Sequence, residues 1–249
     1  MASGVANEGA SIDRLTEGEV HISSAHLDRP PEVVAALSEL LSADEHARAR
    51  RFRFERHRIR YIVGRGSLRQ LLGRYVAMEP GLLRFSYSGY RKPALSAPST
   101  TLSFNVSHSE DLALYAVCLD SEVGIDVERF RPEPIRDRVP ERFFSQREVE
   151  TLRSLPESAQ AAAFLRCWTR KEAFLKARGD GLMLPLDAFD VTLTEHEAPC
   201  LLRTAWDPLE ASSWSLHDLS TSFPGFAAAL AVKGSGWSVR VRPIVQEVS

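Results

Sequence analysis

The stretch Leu102–Val127, LSFNVSHSEDLALYAVCLDSEVGIDV, decides the fold class. Within it Leu102 to Val106, Leu112 to Leu119 and Val123 to Val127 are short runs rich in β-forming residues, separated by polar turns, and they predict three adjacent strands. Toward the N-terminus, Val20 and Ile22 begin a further strand, and Pro30 and Pro31 open a connection into an apolar-periodic helix over Val33 to Leu41. Between them, Ser86 to Thr101 is dominated by Gly, Pro, Ser and Thr and predicts a long loop. Toward the C-terminus, the Pro-rich Arg131 to Pro140 leads to a helix over Glu141 to Leu155 and a longer one over Glu157 to Arg178, ended by Gly179 and Gly181. Strands follow at Asp190 to Leu193 and Phe226 to Val232; a Gly-Ser-Gly turn then leads into Trp237 to Val241. Helices and antiparallel strands alternate in runs through both halves, so the class is α+β.

Composition narrows the function. The chain has 249 residues, 44% hydrophobic, with 31 Lys plus Arg against 33 Asp plus Glu. Such a chain buries a core without staples, which excludes a disordered or low-complexity protein. The longest apolar run, Phe226 to Val232, is far short of the roughly 18 residues a membrane span needs. Met1 to Asp13 has neither a basic head nor an apolar run, so a loose tail and a cytoplasmic location are expected. The cysteines Cys118, Cys167 and Cys200 have no CxxC spacing, and buried or neutral thiols are expected.

The cations are unevenly chosen and unevenly placed. Only four are lysines (Lys92, Lys171, Lys176 and Lys233), so a position that keeps lysine is one where a compact ammonium could matter. Lys233, in a turn beside Gly234, needs no such reason. Between Asp44 and Arg74 stand ten arginines against three acids. The second half of this segment has helical spacing, with Tyr61, Leu68, Leu72 and Tyr75 on the expected buried face and Arg58, Arg65 and Arg69 on another.

Three fragments carry chemistry. In Val123-Gly124-Ile125-Asp126-Val127-Glu128 the strand period puts Gly124, Asp126 and Glu128 on one face. Two carboxylates side by side suit a hard cation such as Mg²⁺ or, alternatively, a solvated acidic face, and Gly124 leaves room for something to approach the backbone. Trp168, Glu172 and Lys176 stand at i, i+4 and i+8 of one helix face, where Glu172 and Lys176 form either an ordinary helix pair or a carboxylate and amine placed for chemistry. Asn105-Val106-Ser107-His108-Ser109 lacks a G-x-S-x-G elbow, which argues against a nucleophilic triad; it reads as an anion-cradling turn or a plain connection.

Together these fragments resemble the surfactin-type 4′-phosphopantetheinyl transferases. The matching motifs are Asn105-Val106-Ser107-His108, Val123 to Glu128, Arg142-Phe143-Phe144-Ser145 with Glu148, and Trp168-Thr169-Arg170-Lys171-Glu172-Ala173-Phe174-Leu175-Lys176, spread over about Val20 to Val232. The resemblance implies a pseudo-dimer of two similar α+β halves with the site in the cleft between them. After a tail at 1–19, residues 20–120 would bind coenzyme A phosphates and residues 121–249 would bind Mg²⁺ and carry catalysis. It implies Asp126, Glu128 and Glu172 as Mg²⁺ ligands, and Arg65, Lys92, Ser107 and His108 as coenzyme A phosphate contacts, with Arg48 a weaker match. Tyr90-Arg91-Lys92-Pro93 departs from the family's Gly-Lys-Pro by carrying Arg91 in place of glycine.

The expected reaction is Mg²⁺-dependent transfer of the phosphopantetheine arm of coenzyme A to a serine of an acyl or peptidyl carrier protein, with release of adenosine 3′,5′-bisphosphate. The carrier would serve fatty acid, polyketide or nonribosomal peptide synthesis. Glu172 is the candidate base, acting directly or through a Mg²⁺-bound water; Lys176 would stabilise phosphate charge and lower the Glu172 pKa, and Glu148 is held for a supporting role. A monomer that binds neither membrane nor nucleic acid is expected. Two other readings are a nucleic-acid binder using segment 44–74 and a Mg²⁺-dependent phosphohydrolase; the first leaves Asp126, Glu128 and Glu172 without a purpose.

Overall fold

The computed structural model describes residues 14–87, 92–130, 138–179 and 184–243. The tail 1–13, Arg91 and Gly181 lie outside the described residues, as does most of the Pro-rich connection.

The N-terminal elements are β1 (Glu19–His26), α1 (Pro31–Glu39), α2 (Ala43–Ala49), α3 (Glu55–Val76), β2 (Arg84–Tyr87), β3 (Pro93–Ala97), β4 (Leu102–Ser109) and β5 (Leu112–Leu119). The C-terminal ones are β6 (Val123–Arg129), α4 (Val139–Phe143), α5 (Gln146–Ser154), α6 (Glu157–Arg178), β7 (Phe189–Val191), β8 (Leu201–Thr204), β9 (Trp214–Asp218), β10 (Phe226–Lys233) and β11 (Ser238–Pro243). They form a four-stranded sheet β11-β1-β5-β4, a three-stranded sheet β6-β10-β9 and the pairs β2-β3 and β7-β8. The class is α+β, as expected.

Period-two alternation explains how the layers stack. On β5, Leu112, Leu114, Ala116 and Cys118 pack toward Val123, Ile125 and Val127 of β6 and Ala228, Leu230 and Val232 of β10, joining the two sheets. The alternate residues Ala113, Tyr115 and Val117 pack on α1 and α3. On the far side, Ala229 and Ala231 of β10 meet Ala173, Phe174 and Ala177 of α6. The order is therefore helices, sheet, sheet, helix. β5 is apolar along its whole length because both of its faces are covered.

Gly124 is the closest approach in this stack. A Cβ there would overlap the Ala173 carbonyl oxygen and the Ala177 amide nitrogen of α6. What approaches the backbone is the helix itself, and this seats Glu172 and Lys176 over Asp126.

The structure corrects several expectations. Ser86 to Thr101, expected as a loop, contains the end of β2 and all of β3, which pair antiparallel, with Pro93 at the first position of its strand, where proline is tolerated. β6 does not pair with β5; it heads the second sheet, against β10. Asn105 to Ser109 is strand rather than turn, and the turn is at Glu110 and Asp111, Glu110 having φ of 51°. The helix expected over Glu141 to Leu155 is two helices, broken where Ser145 caps α5: its hydroxyl accepts from the Glu148 amide and Glu148 accepts from the Ser145 amide. The turn after β10 does not make a hairpin, since β11 crosses back to pair in parallel with β1. The N-terminal sheet thus takes an edge strand from beyond residue 120. The short strands β8 and β9 carry no period strong enough to have been foreseen. Cys118 and Cys167 are buried, with Cys118 pushed up to about 12 by burial, whereas Cys200 is exposed.

The arginines of α3 are also redistributed. Arg69 and Glu45 are each 1% exposed at the side chain and pair at 2.7 Å; Arg65 Nε donates to the same carboxylate. Ile62, Val63, Leu68, Leu71 and Leu72 form the buried face, while Tyr61 and Tyr75 are only half-buried at its margins.

Candidate active site

The site forms where β4 runs beside β6. Instead of a backbone ladder, alternate side chains of β4 satisfy the β6 amides. Asn105 Oδ1 accepts from Ile125 N at 2.9 Å, Ser107 Oγ from Val127 N at 3.3 Å and Ser109 Oγ from Arg129 N at 3.0 Å. The hydroxyls then donate across the seam, Ser107 to Asp126 and Ser109 to Glu128, each at 2.9 Å. This period-two set of Asn and Ser was present in the sequence as a signal and passed over there as a turn.

Above the seam, Lys176 Nζ lies 2.6 Å from Asp126 Oδ1 and 2.9 Å from Ser107 Oγ. Lys176 therefore reaches across to β6 and β4 rather than forming the helix pair with Glu172 that the spacing allows. The Glu172 pKa is raised from its ordinary value by burial and then by repulsion from Asp126, with Lys176 opposing. Lys176 lowers it as expected, but burial and the neighbouring carboxylates outweigh the ammonium. Asp126 is almost fully buried, and among the described residues its Oδ2 has no hydrogen-bond partner.

That orphaned oxygen tests the expected Mg²⁺ ligands. Among the described residues, no three carboxylate, imidazole or thiol side chains already stand together as a ready cage. An oxygen left bare in a buried carboxylate, with Glu128 and Glu172 near enough to perturb one another electrostatically, nonetheless fits a hard cation that takes one or two protein oxygens and fills its shell with water and phosphate.

On the other face of β4, His108 lines a cleft of about 240 Å³ with Arg48, Arg60, Tyr61, Arg65, Tyr87 and Pro93. Ser107 and His108 therefore serve opposite sides of one strand. Each cation in the cleft is oriented. Arg60 forms a two-pronged pair with Asp28, both contacts at 2.7 Å. Arg65 donates to Tyr87 Oη at 3.0 Å and stacks 3.9 Å from the Phe85 ring centre, and Arg48 stands 5.5 Å from that of Tyr61. The His108 pKa is lowered by the protein crowded around it and then by Lys176 and Arg60, so near neutral pH the ring is largely uncharged. Neither Arg60 nor Tyr61 is a site residue in the sequence reading: Tyr61 is assigned there to the buried helix face, and Arg60 is only one of the ten arginines of the basic segment.

Lys92 is elsewhere. Its Nζ donates to the carbonyls of Ala177, at 2.9 Å, and Val123, at 3.2 Å, fastening the β2-β3 hairpin to the C-terminal end of α6. It also lines a second cavity of about 770 Å³ with Tyr87, Asp120 and Glu122. Glu148 is not part of the site either. It is buried, pairs with Lys171 at 2.8 Å and accepts from the Val191 amide, tying α5, α6 and β7 together.

Comparison with known proteins gives the family of the chain. A family model described as "4'-phosphopantetheinyl transferase superfamily" matches residues 122–231, and one described as "4'-phosphopantetheinyl transferase, N-terminal" matches residues 29–120. The chain is 43% identical to the 4′-phosphopantetheinyl transferase HetI of Nostoc sp. over 225 residues, 90% of this chain and 91% of that one. It is 30% identical to the 4′-phosphopantetheinyl transferase Sfp of Bacillus subtilis over 198 residues, 74% of this chain and 85% of that one. Among solved structures, the holo-[acyl-carrier-protein] synthase of Thermotoga maritima is similar over 46% of this chain and 63% of its own, with 26% identity and a TM-score of 0.36.

A seam of paired carboxylates and lysine beside an arginine-lined cleft, in an α+β chain of this descent, belongs to a group-transfer enzyme. The chain is a member of the 4′-phosphopantetheinyl transferase family, whose reaction moves the phosphopantetheine arm of coenzyme A to a carrier protein.

Proposed function

We propose that the transfer depends on Mg²⁺, releases adenosine 3′,5′-bisphosphate and takes place at the seam between β4, β6 and α6. The observation that carries this reading is the bare, buried Asp126 Oδ2 next to the Lys176–Ser107 contact, a few side chains from a cleft lined by three arginines. Arg48, Arg60 and Arg65 bind the phosphates of coenzyme A, arginine offering paired donors to phosphate oxygens. His108, on the same wall, donates from its neutral ring. Asp126, Glu128 and Glu172 would hold Mg²⁺, which supplies neutralisation of the charge on the pyrophosphate.

The chain's own groups do the rest. The serine oxygen of the carrier forms a bond to the β-phosphorus as the bond to the departing nucleotide oxygen breaks. Glu172, with its raised pKa, accepts the serine proton. Lys176, fixed by Asp126 and Ser107, places a positive charge where the transferring phosphoryl group gathers negative charge. Residues 20–120 give the cofactor wall and 121–249 the carboxylates, with β11 returned to the first sheet. Both sides of the cleft come from one chain, so a monomer suffices. The nucleic-acid reading is weaker because it leaves Asp126, Glu128 and Glu172 without a purpose.

Incubation with coenzyme A and an apo carrier domain, with Mg²⁺ or with excess chelator, tests the reading. The expected result is a carrier heavier by one phosphopantetheine arm, a stoichiometric yield of adenosine 3′,5′-bisphosphate, and neither product under chelation. Full transfer under chelation would remove the metal; release of phosphate without carrier modification would favour a phosphohydrolase. Lys92→Ala separates two roles. If Lys92 also reaches phosphate, calorimetric affinity for coenzyme A falls; if it only fastens α6, stability falls and affinity holds.

A further inference from the structure

We propose that the exposed segment Arg50 to Arg56, which joins α2 to α3, is the docking platform for the carrier protein and receives an acidic face that also presents apolar side chains. The proposal rests on the reading of the arginine-lined cleft as the coenzyme A site.

Every residue from Arg50 to His57 is exposed, and the run carries Arg50, Arg51, Arg53 and Arg56. Its one acid, Glu55, is taken up by Arg58 of the same helix, whose Nε lies 2.7 Å away. Among the described residues no carboxylate stands within ion-pair distance of Arg50, Arg51, Arg53 or Arg56. The result is a compact positive face on a chain whose formal net charge is −2. A partner drawn to that face is acidic there.

The apolar component is equally local. Phe54 is 59% exposed and Phe52 is 39% exposed, although each could have been polar at no cost to the core. Both rings are held ready. Arg53 stands 5.4 Å from the Phe54 ring centre, His57 packs edge-on to Phe54 at 5.9 Å, and Phe52 lies 5.4 Å from Tyr61. Aromatic rings and arginines, with lysine absent, are what the energetic centre of a protein interface is made of.

Position selects the partner. Tyr61, against which Phe52 packs, lines the cleft, and so does Arg48, one turn back on α2. The platform is therefore continuous with the mouth of the cleft proposed to hold coenzyme A, and the reaction requires a protein to approach the coenzyme A bound there. Single-stranded nucleic acid would also meet rings and arginines, but nothing in the transfer needs it.

The test uses the full-length enzyme with Phe54→Ser and the double variant Arg50→Glu with Arg53→Glu. All three residues are exposed, and thermal melting confirms that the fold is kept. Initial rates are measured with coenzyme A and purified apo carrier domains of graded net charge, at low and high salt; calorimetry reports coenzyme A binding. Each variant should lower kcat/KM for the carrier by at least about tenfold, most for the most acidic carrier, with coenzyme A affinity within about twofold of wild type. The charge variant should also lose most of the salt dependence. Carrier kcat/KM within about twofold of wild type in both variants would overturn the proposal. So would wild-type binding of a single-stranded oligonucleotide that the charge variant abolishes while carrier turnover stays intact. A parallel loss of coenzyme A affinity would make the segment part of the cofactor site and overturn it as well. Weakened coenzyme A binding in Arg48→Ala tests the cleft reading separately.

Discussion

Lys176 Nζ on α6 and Asp126 Oδ1 on β6 meet at 2.6 Å, and Ser107 of β4 hydrogen-bonds to both. One contact thus joins the two sheets to the helix at the point where chemistry is proposed. The Asp126 side chain is 5% exposed and that of Lys176 29%. Removing the carboxylate leaves an ammonium without its partner in a partly closed site. Asp126→Asn should lower transfer by at least about a hundredfold, the range lost with a single electrostatic group in an active site. Mass analysis of the carrier measures it, and near-normal transfer at limiting Mg²⁺ would take Asp126 out of the metal site.

Glu172 is half-buried on the helix face that carries Lys176. Glu172→Gln keeps its volume and removes its ability to accept a proton. A fall in kcat of at least about a hundredfold is expected, the lower end of what a general base contributes. With Mg²⁺ saturating, single-turnover rates separate this from weaker metal binding; a rate within a few-fold of wild type would assign the proton to another acceptor.

The face pattern of β6 and the Trp168–Glu172–Lys176 stripe were legible because periods of two and of three to four residues are local properties. Hence α6 was placed from Glu157 to Arg178, the bounds the structure shows. What was hidden is long-range. No local pattern tells that β11 crosses back to β1 or that β6 starts a new sheet. Nor does helical spacing say which arginines are consumed inside: Arg69 pairs with Glu45, twenty-four residues earlier in the chain. Lys171 and Lys176 both sit in the motif that carries the resemblance, yet Lys171 is fully buried against Glu148 and the Leu186 and Phe189 carbonyls. Only Lys176 faces the seam.

Gly124 offers a test of the packing that sets this geometry. Its missing Cβ is the space into which α6 descends, and both obstructing atoms belong to backbone. Gly124→Ala should destabilise the protein by about 3 kcal/mol or more, since helix and strand cannot both hold position. Denaturant unfolding measures it. Transfer activity should fall as well, because Lys176 would be lifted from Asp126. A variant with native stability would show that α6 sits farther from β6 than described.

The Glu45 triad makes a prediction about pH. Glu45 is buried, which alone would raise its pKa, but the Arg69 hydrogen bond, the Arg65 charge and the Ser42 amide together bring it below its ordinary value of 4.5. A carboxyl group lowered on folding adds stability at pH values above its unfolded pKa. That contribution disappears as pH falls through the folded value, where the native state must also be protonated. Glu45→Gln leaves two guanidinium groups side by side without their countercharge, so it should cost about 3–5 kcal/mol near neutral pH, the range for breaking a buried pair. The gap between wild type and variant should stay level from about pH 8 to 5 and then narrow below about pH 4, as wild type loses what the variant never had. Thermal or denaturant melts across that range measure it. A gap that persists unchanged to about pH 2 would mean that the lost stability came from packing around the side chain rather than from its charge.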